Sequence, residues 1–193
     1  MNAFSLPLNK TKYILFGQDP YPRCESASGY AFIDAKVKTL FSSTGLSKEV
    51  NKATSLRNFI KMLLVSHGYL SDDLSQKAIA RLDKDRFIDS IDELKNNLLS
   101  SGVLLLNTAL VFTNKNSSKH HVKMFMPFIG SLLKSLSSYN IELIFFGTMA
   151  KDIKKFGVDS FVSHEFVHPY NISFIMDTKA QKLFEKMNLL NKL

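Results

Sequence analysis

The chain is predicted to fold as an α/β protein, a three-layer αβα sandwich around a central four-stranded, mostly parallel sheet, and three observations predict it. Four short apolar runs punctuate the sequence, segments of helical spacing lie between them, and each run gives way to polar residues or glycine. Strands alternating with helices imply helices covering one sheet. At 193 residues and 45% hydrophobic composition, a single domain over 1–193 with a sizeable core is expected, without repeats or low-complexity linkers.

The first strand is Tyr13 to Phe16, an apolar run stopped by Gly17. Ser55 to Ser66 follows as a helix with Leu56, Phe59, Ile60, Leu63 and Leu64 on one face and Thr54 or Ser55 as its cap. Phe87 to Leu99 repeats that spacing through Phe87, Ile88, Ile91, Leu94 and Leu98. Val103 to Leu106 is the second strand, Phe125 to Leu136 the next helix, Ile141 to Phe146 the third strand and Phe161 to Val167 the fourth. Thr178 to Leu190 closes the chain as a helix. The first three strands are almost continuously apolar, as in central strands of a parallel sheet buried on both faces.

Composition narrows the function. Nothing approaches a membrane span, and Met1 to Leu8 lacks the basic and apolar layout of a signal peptide, so no membrane partner and a cytoplasmic location are expected. The lone cysteine, Cys24, excludes a disulfide framework, a Cys-rich zinc site and a four-cysteine iron–sulfur cluster. Net charge is +8, and no Asp or Glu occurs from Leu94 through Ile141, where Lys95, Lys115, Lys119, Lys123, Lys134, His120 and His121 lie. A surface facing a polyanion has this character, as do many basic proteins that bind no nucleic acid.

The residues after each strand carry the chemistry. Asp19 and Tyr21 follow the first strand in Gly17-Gln18-Asp19-Pro20-Tyr21-Pro22, Asn107 follows the second, Gly147-Thr148 the third and His168-Pro169 the fourth. Ligands of open α/β sheets bind at the carboxyl ends of the strands, so these four ends are expected to converge on one crevice. Prolines on either side of Tyr21 stiffen the turn that holds Asp19 and Tyr21. Each residue alone also has a structural reading: an Asx turn at Asp19, a strand terminator at Asn107, a satisfied histidine beside a proline turn at His168.

Gly17-Gln18-Asp19-Pro20-Tyr21, Gly29-Tyr30-Ala31-Phe32, Gly102-Val103-Leu104-Leu105-Leu106-Asn107, Phe145-Phe146-Gly147 and His168-Pro169, in this order, resemble the motifs of the main, metal-free family of uracil-DNA glycosylases. The resemblance runs from about Tyr13 to the C-terminus. It implies hydrolytic excision of uracil from single- or double-stranded DNA by base flipping, acting as a monomer without a metal or cofactor. It implies Asp19 as the carboxylate that orients a water and favours the cationic sugar, and His168 as the imidazole that hydrogen-bonds the departing uracil anion. Phe32 matches the ring that stacks on the base, Asn107 the amide that reads its edge, Tyr21 the ring that refuses the methyl of thymine, and Gln18 a supporting pocket residue. Ser55, Ser117 and Lys119 are implied phosphate contacts. Ile172 stands where the family carries a wedging leucine, or is one more apolar residue of the run to Met176.

Departures are visible too. Pro22 replaces a usual histidine, Tyr170-Asn171 replaces Ser-Pro, the proline-rich loop before Ser55 is absent, and the chain begins almost at the first strand. Excision of another modified base, or a noncatalytic DNA-binding or replication-accessory module on the same fold, therefore stand as alternatives.

Overall fold

The computed structural model describes residues 2–156 and 158–192. Along the chain run β1 (Tyr13–Gly17), β2 (Phe41–Ser42), β3 (Gly45–Leu46), α1 (Lys48–Lys52), α2 (Thr54–Ser66), α3 (Gln76–Ala80), α4 (Ile91–Ser100), β4 (Val103–Asn107), α5 (Ser118–Leu136), β5 (Glu142–Phe146), α6 (Met149–Ile153), β6 (Ser163–Phe166) and α7 (Thr178–Glu185). The fold is α/β, with a four-stranded sheet in the order β4-β1-β5-β6, and β1 pairs in parallel with both β4 and β5. By its internal contacts the chain divides into two compact units, Met1–Asp34 with Leu99–Glu165 and Ala35–Leu98 with Phe166–Leu193.

The first unit is built on the sheet. Its register places Ile14 beside Leu104 and Leu143, and Phe16 beside Leu106 and Phe145, so these alternate residues share one face. They pack against Ile129, Leu133 and Leu136 of α5, and the Phe16 and Phe145 rings stack at 5.4 Å. The opposite face carries Leu15, Leu105 and Ile144, all fully buried, which is why these strands read as continuous apolar runs. Each such side chain contributes about 1.5–3 kcal/mol through burial, which makes the strand ends a rigid base for the loops that leave them.

The second unit packs the predicted face of α2 as expected. Phe59 meets Phe174 at 6.2 Å and Phe184 of α7 at 5.0 Å. The predicted boundaries shift for local reasons. α2 starts at Thr54 after Ala53, with no side-chain cap, so neither Thr54 nor Ser55 caps it. α4 begins at Ile91, not Phe87, because Ser90 and Glu93 form a capping box: Glu93 N–H donates to Ser90 Oγ at 3.2 Å, and Ser90 N–H to Glu93 Oε2 at 2.9 Å. Ile88 is drawn instead to the C-terminal segment, its N–H donating to the Leu190 carbonyl at 2.8 Å. α5 starts at Ser118, seven residues before Phe125; its exposed first turns hide the apolar period, and it continues through Pro127. α7 stops at Glu185 because the chain turns at Asn188, φ 50°, and Asn97 holds the Leu189 and Asn191 carbonyls at 2.9 and 2.8 Å.

Candidate active site

In the first unit the sheet register does most of the placing. Gly17 and Asn107 are direct neighbours across β1 and β4, on the same face as Leu15 and Leu105. A Cβ on Gly17 would collide with Asn107 Oδ1 and come within 2.9 Å of the Ala31 Cβ. Glycine is required there because the Asn107 amide lies across its backbone. Beyond the strands, Thr108 N–H donates to the Gly17 carbonyl, and Ala109 N–H and Thr108 Oγ1 to the Gln18 carbonyl, each at 2.8 Å. The turn carrying Asp19 is thereby fastened to the residues after Asn107.

Asn107 is nine-tenths buried, and among the described residues its amide has no hydrogen-bond partner. Phe32 follows Ala31, whose N–H donates to the Leu105 carbonyl at 3.1 Å. Phe32 has φ 69°, a conformation that costs a non-glycine residue about 1–3 kcal/mol, and its ring tilts against Phe146 at 5.9 Å. Tyr21 donates its hydroxyl to the Phe32 carbonyl at 3.3 Å. Burial, with the nearby Asp34 charge, pushes the Tyr21 phenol up to about 12, so it stays a neutral donor. Asp19 accepts from Ser118 Oγ at 2.8 Å, and Ser118 Oγ accepts from Gln18 Nε2 at 3.1 Å. Ser117 turns to Asn114 Oδ1 instead, through its N–H at 3.0 Å and its hydroxyl at 3.2 Å. Lys119 is exposed on the first turn of α5.

His168, Ser55 and Ile172 belong to the second unit. Tyr170 N–H donates to His168 Nδ1 at 3.0 Å, so the neutral ring carries its proton on Nε2. The residue is exposed, yet partial burial disfavours the charged form of its ring and lowers its pKa. Asn58, 2% exposed on α2, donates to the Pro169 carbonyl at 2.8 Å. Ser55, half-buried in the first turn of α2, lies one turn before Asn58. Ile172 is 73% exposed while Phe174 and Ile175 of the same run are buried, so it is not a core residue.

Within the first unit, then, Gln18, Asp19, Tyr21, Phe32 and Asn107 are assembled by β1, β4 and their loops. The sequence reading missed Ser118 and the anchoring role of Asn58. The repeated serine at 117–118 and the lone amide of Asn58 among Leu56, Phe59 and Ile60 were the available signals. Lys95 is tied to Asp92 at 2.8 Å, whereas Lys115, Lys119, Lys123 and Lys134 are exposed. Among the described residues no group of three or more His, Cys, Asp or Glu is placed to hold a metal ion, and no helix is long and apolar enough to cross a membrane.

No family model matches the chain. The uracil-DNA glycosylase of Mycoplasma genitalium is 30% identical over 192 residues, which is 96% of this chain and 67% of that protein. The uracil-DNA glycosylase of Fusobacterium nucleatum subsp. nucleatum is 28% identical over 160 residues, 81% of this chain and 57% of that protein. The chain thus spans a little over half the length of several curated relatives it matches. A crystal structure of the wild-type UNG from Nitratifractor salsuginis superposes with a TM-score of 0.97 at 50% identity, covering 99% of this chain and 78% of that one.

Proposed function

The chain belongs to the uracil-DNA glycosylase family, and from that premise we propose that it hydrolyses the N-glycosidic bond of uracil in DNA and leaves an abasic site. One observation carries this reading: the Asn107 amide, nine-tenths buried and without a partner among the described residues. Left without a protein partner, the amide oxygen and nitrogen both stand open to a ligand that pairs them. The uracil edge offers the complement, an N3–H donor and an O4 acceptor, and an amide supplies one of each. A base reaches such a group only after leaving the stack.

In this reading Phe32 stacks on the flipped base. Tyr21, locked through its hydroxyl, stands against C5 and excludes the methyl of thymine by collision, and Gln18 supports the pocket. As the C1′–N1 bond breaks, its electron pair passes into the uracil ring. Asp19 favours the cationic sugar, orients the water whose oxygen bonds to C1′, and accepts its proton. To His168 the reading assigns the hydrogen bond to the uracil O2, where negative charge develops; a neutral ring donating from Nε2 suits that task. Ser55, Ser117 and Lys119 contact phosphates, and Ile172 fills the gap left by the flipped nucleotide. The chain acts over 1–193 as one glycosylase domain, a monomer in the cytoplasm.

The test uses single- and double-stranded oligonucleotides carrying one uracil, followed by alkaline cleavage of abasic sites. Cleavage that disappears with Asp19→Asn is expected. DNA binding without uracil loss under excess enzyme would replace this reading with a binding module, and release of a different base from modified DNA would replace the substrate.

A further inference from the structure

We propose that Ser118, the first residue of α5, is the positioning residue that fixes the orientation of the Asp19 carboxylate; the proposal rests on the glycosylase reading of Asp19. The local sequence creates the need. An aspartate in a turn often bonds to the backbone N–H two residues on, here that of Tyr21, but among the described residues no such bond forms at Asp19, and Pro20 and Pro22 have no N–H to offer. Its carboxylate is instead held from outside the turn, Ser118 Oγ donating to Asp19 Oδ2 at 2.8 Å.

The polarity of the chain of hydrogen bonds is set by its ends. Ser118 has one hydroxyl proton, and Gln18 Nε2 donates to the same oxygen at 3.1 Å. With the serine oxygen occupied as an acceptor, its proton points to Asp19, and the sequence of donors ends on an acceptor-only carboxylate. The Gln18 backbone cannot swing away, because its carbonyl holds Ala109 N–H and Thr108 Oγ1 at 2.8 Å each. Ser118 is 8% exposed, so water competes little for the bond, and hydrogen bonds to an ionised group are the stronger kind. Its place at the start of a 19-residue helix also brings the positive end of the helix dipole to the carboxylate. With Oδ2 engaged, Oδ1 keeps its lone pairs for the attacking water.

The experiment compares Ser118→Ala and Ser118→Thr in the full chain, on a single-stranded uracil oligonucleotide, with a crystal structure of each variant. Ser118→Ala is expected to lower kcat about 10- to 100-fold with KM within about threefold, the signature of a group misplaced for the chemical step. Ser118→Thr keeps the hydroxyl and is expected to restore kcat to within about fivefold of the parent. In an Asp19→Asn background, Ser118→Ala should have no further effect. The Ser118→Ala crystal should show the Asp19 carboxylate rotated or in several rotamers. Parental kcat in Ser118→Ala, an equal loss in the Asp19→Asn background, or an unmoved carboxylate would each overturn the proposal. If the parent protein releases no uracil, the glycosylase reading falls, and the position of Asp19 in the Ser118→Ala crystal still decides whether Ser118 holds it.

Discussion

Gly17→Ala separates folding from base recognition. The added Cβ meets two obstacles, the Asn107 Oδ1 and, at 2.9 Å, the Ala31 Cβ. The first is the tip of a side chain that can rotate away; the second is anchored by the Ala31 N–H bond to the Leu105 carbonyl and must shift with its backbone. Overpacking of this kind costs about 1–3 kcal/mol, and replacing glycine returns about 0.4–1 kcal/mol through the unfolded chain. The expected net loss is about 1–2 kcal/mol, a fall in Tm of about 3–6 °C for a chain of this size. If Asn107 reads the base as proposed, rotation of its amide forfeits two hydrogen bonds to the base edge, about 2–3 kcal/mol together, or about 30- to 150-fold in kcat/KM. Thermal melting and uracil release measured on the same preparation give both numbers. The Asn107→Ala variant supplies the control: once the colliding oxygen is gone, Gly17→Ala should add little to its loss of kcat/KM, while the stability cost of the Ala31 contact remains. Activity within threefold of the parent, or full additivity with Asn107→Ala in kcat/KM, would refute the placement of the amide.

Three further outcomes are expected. Asn58→Ala orphans the buried Pro169 carbonyl, so urea unfolding should show a loss of about 1–3 kcal/mol, with kcat falling as the His168 loop loosens. Because the His168 pKa is lowered by burial, its contribution to stability is complete above the unfolded value near 6.5 and is lost as pH falls from there through the folded value; His168→Gln should remove that part of the pH dependence in urea melts. Ile172→Asp, at a side chain 73% exposed, should change stability by less than about 0.5 kcal/mol while reducing excision from duplex DNA more than from single strands.

The sequence was most legible where burial imposes a period. Ile14, Leu104 and Leu143 could be read as strand residues because both faces of the sheet are covered, and the face of α2 because Phe59 packs against Phe174 and Phe184 and Leu63 is fully buried. Polar starts were less legible. Ser118 to Met124 is helical without an apolar period since those turns are largely exposed, and Phe87 is buried without being helical because Ser90 and Glu93 close the helix behind it. In the candidate site, Asp19, Tyr21 and Asn107 are visible as breaks after apolar runs, whereas Phe32 is legible only through the resemblance carried by Gly29-Tyr30-Ala31-Phe32. Ser118 is not, because its partner lies 99 residues away and no local pattern encodes that pairing.

The strain at Phe32 shows how such a site is sustained. A positive φ of 69° would be relieved by glycine or asparagine, and a phenylalanine there survives only if its neighbours over-determine it. They do so from both sides. Ala31 N–H is held by the Leu105 carbonyl at 3.1 Å, the Phe32 carbonyl takes the Tyr21 hydroxyl at 3.3 Å, and Ser28 Oγ donates to the Ile33 carbonyl at 2.7 Å. Three hydrogen bonds at about 1 kcal/mol each offset a cost of about 1–3 kcal/mol, so the strained loop is close to neutral for the fold. The ring can therefore be aimed by function, and the Tyr21 hydroxyl braces Phe32 while fixing the ring that the proposed reading sets against C5. Tyr21→Phe should accordingly disturb base stacking as well as methyl rejection, measurable as weaker uracil release together with detectable attack on thymine.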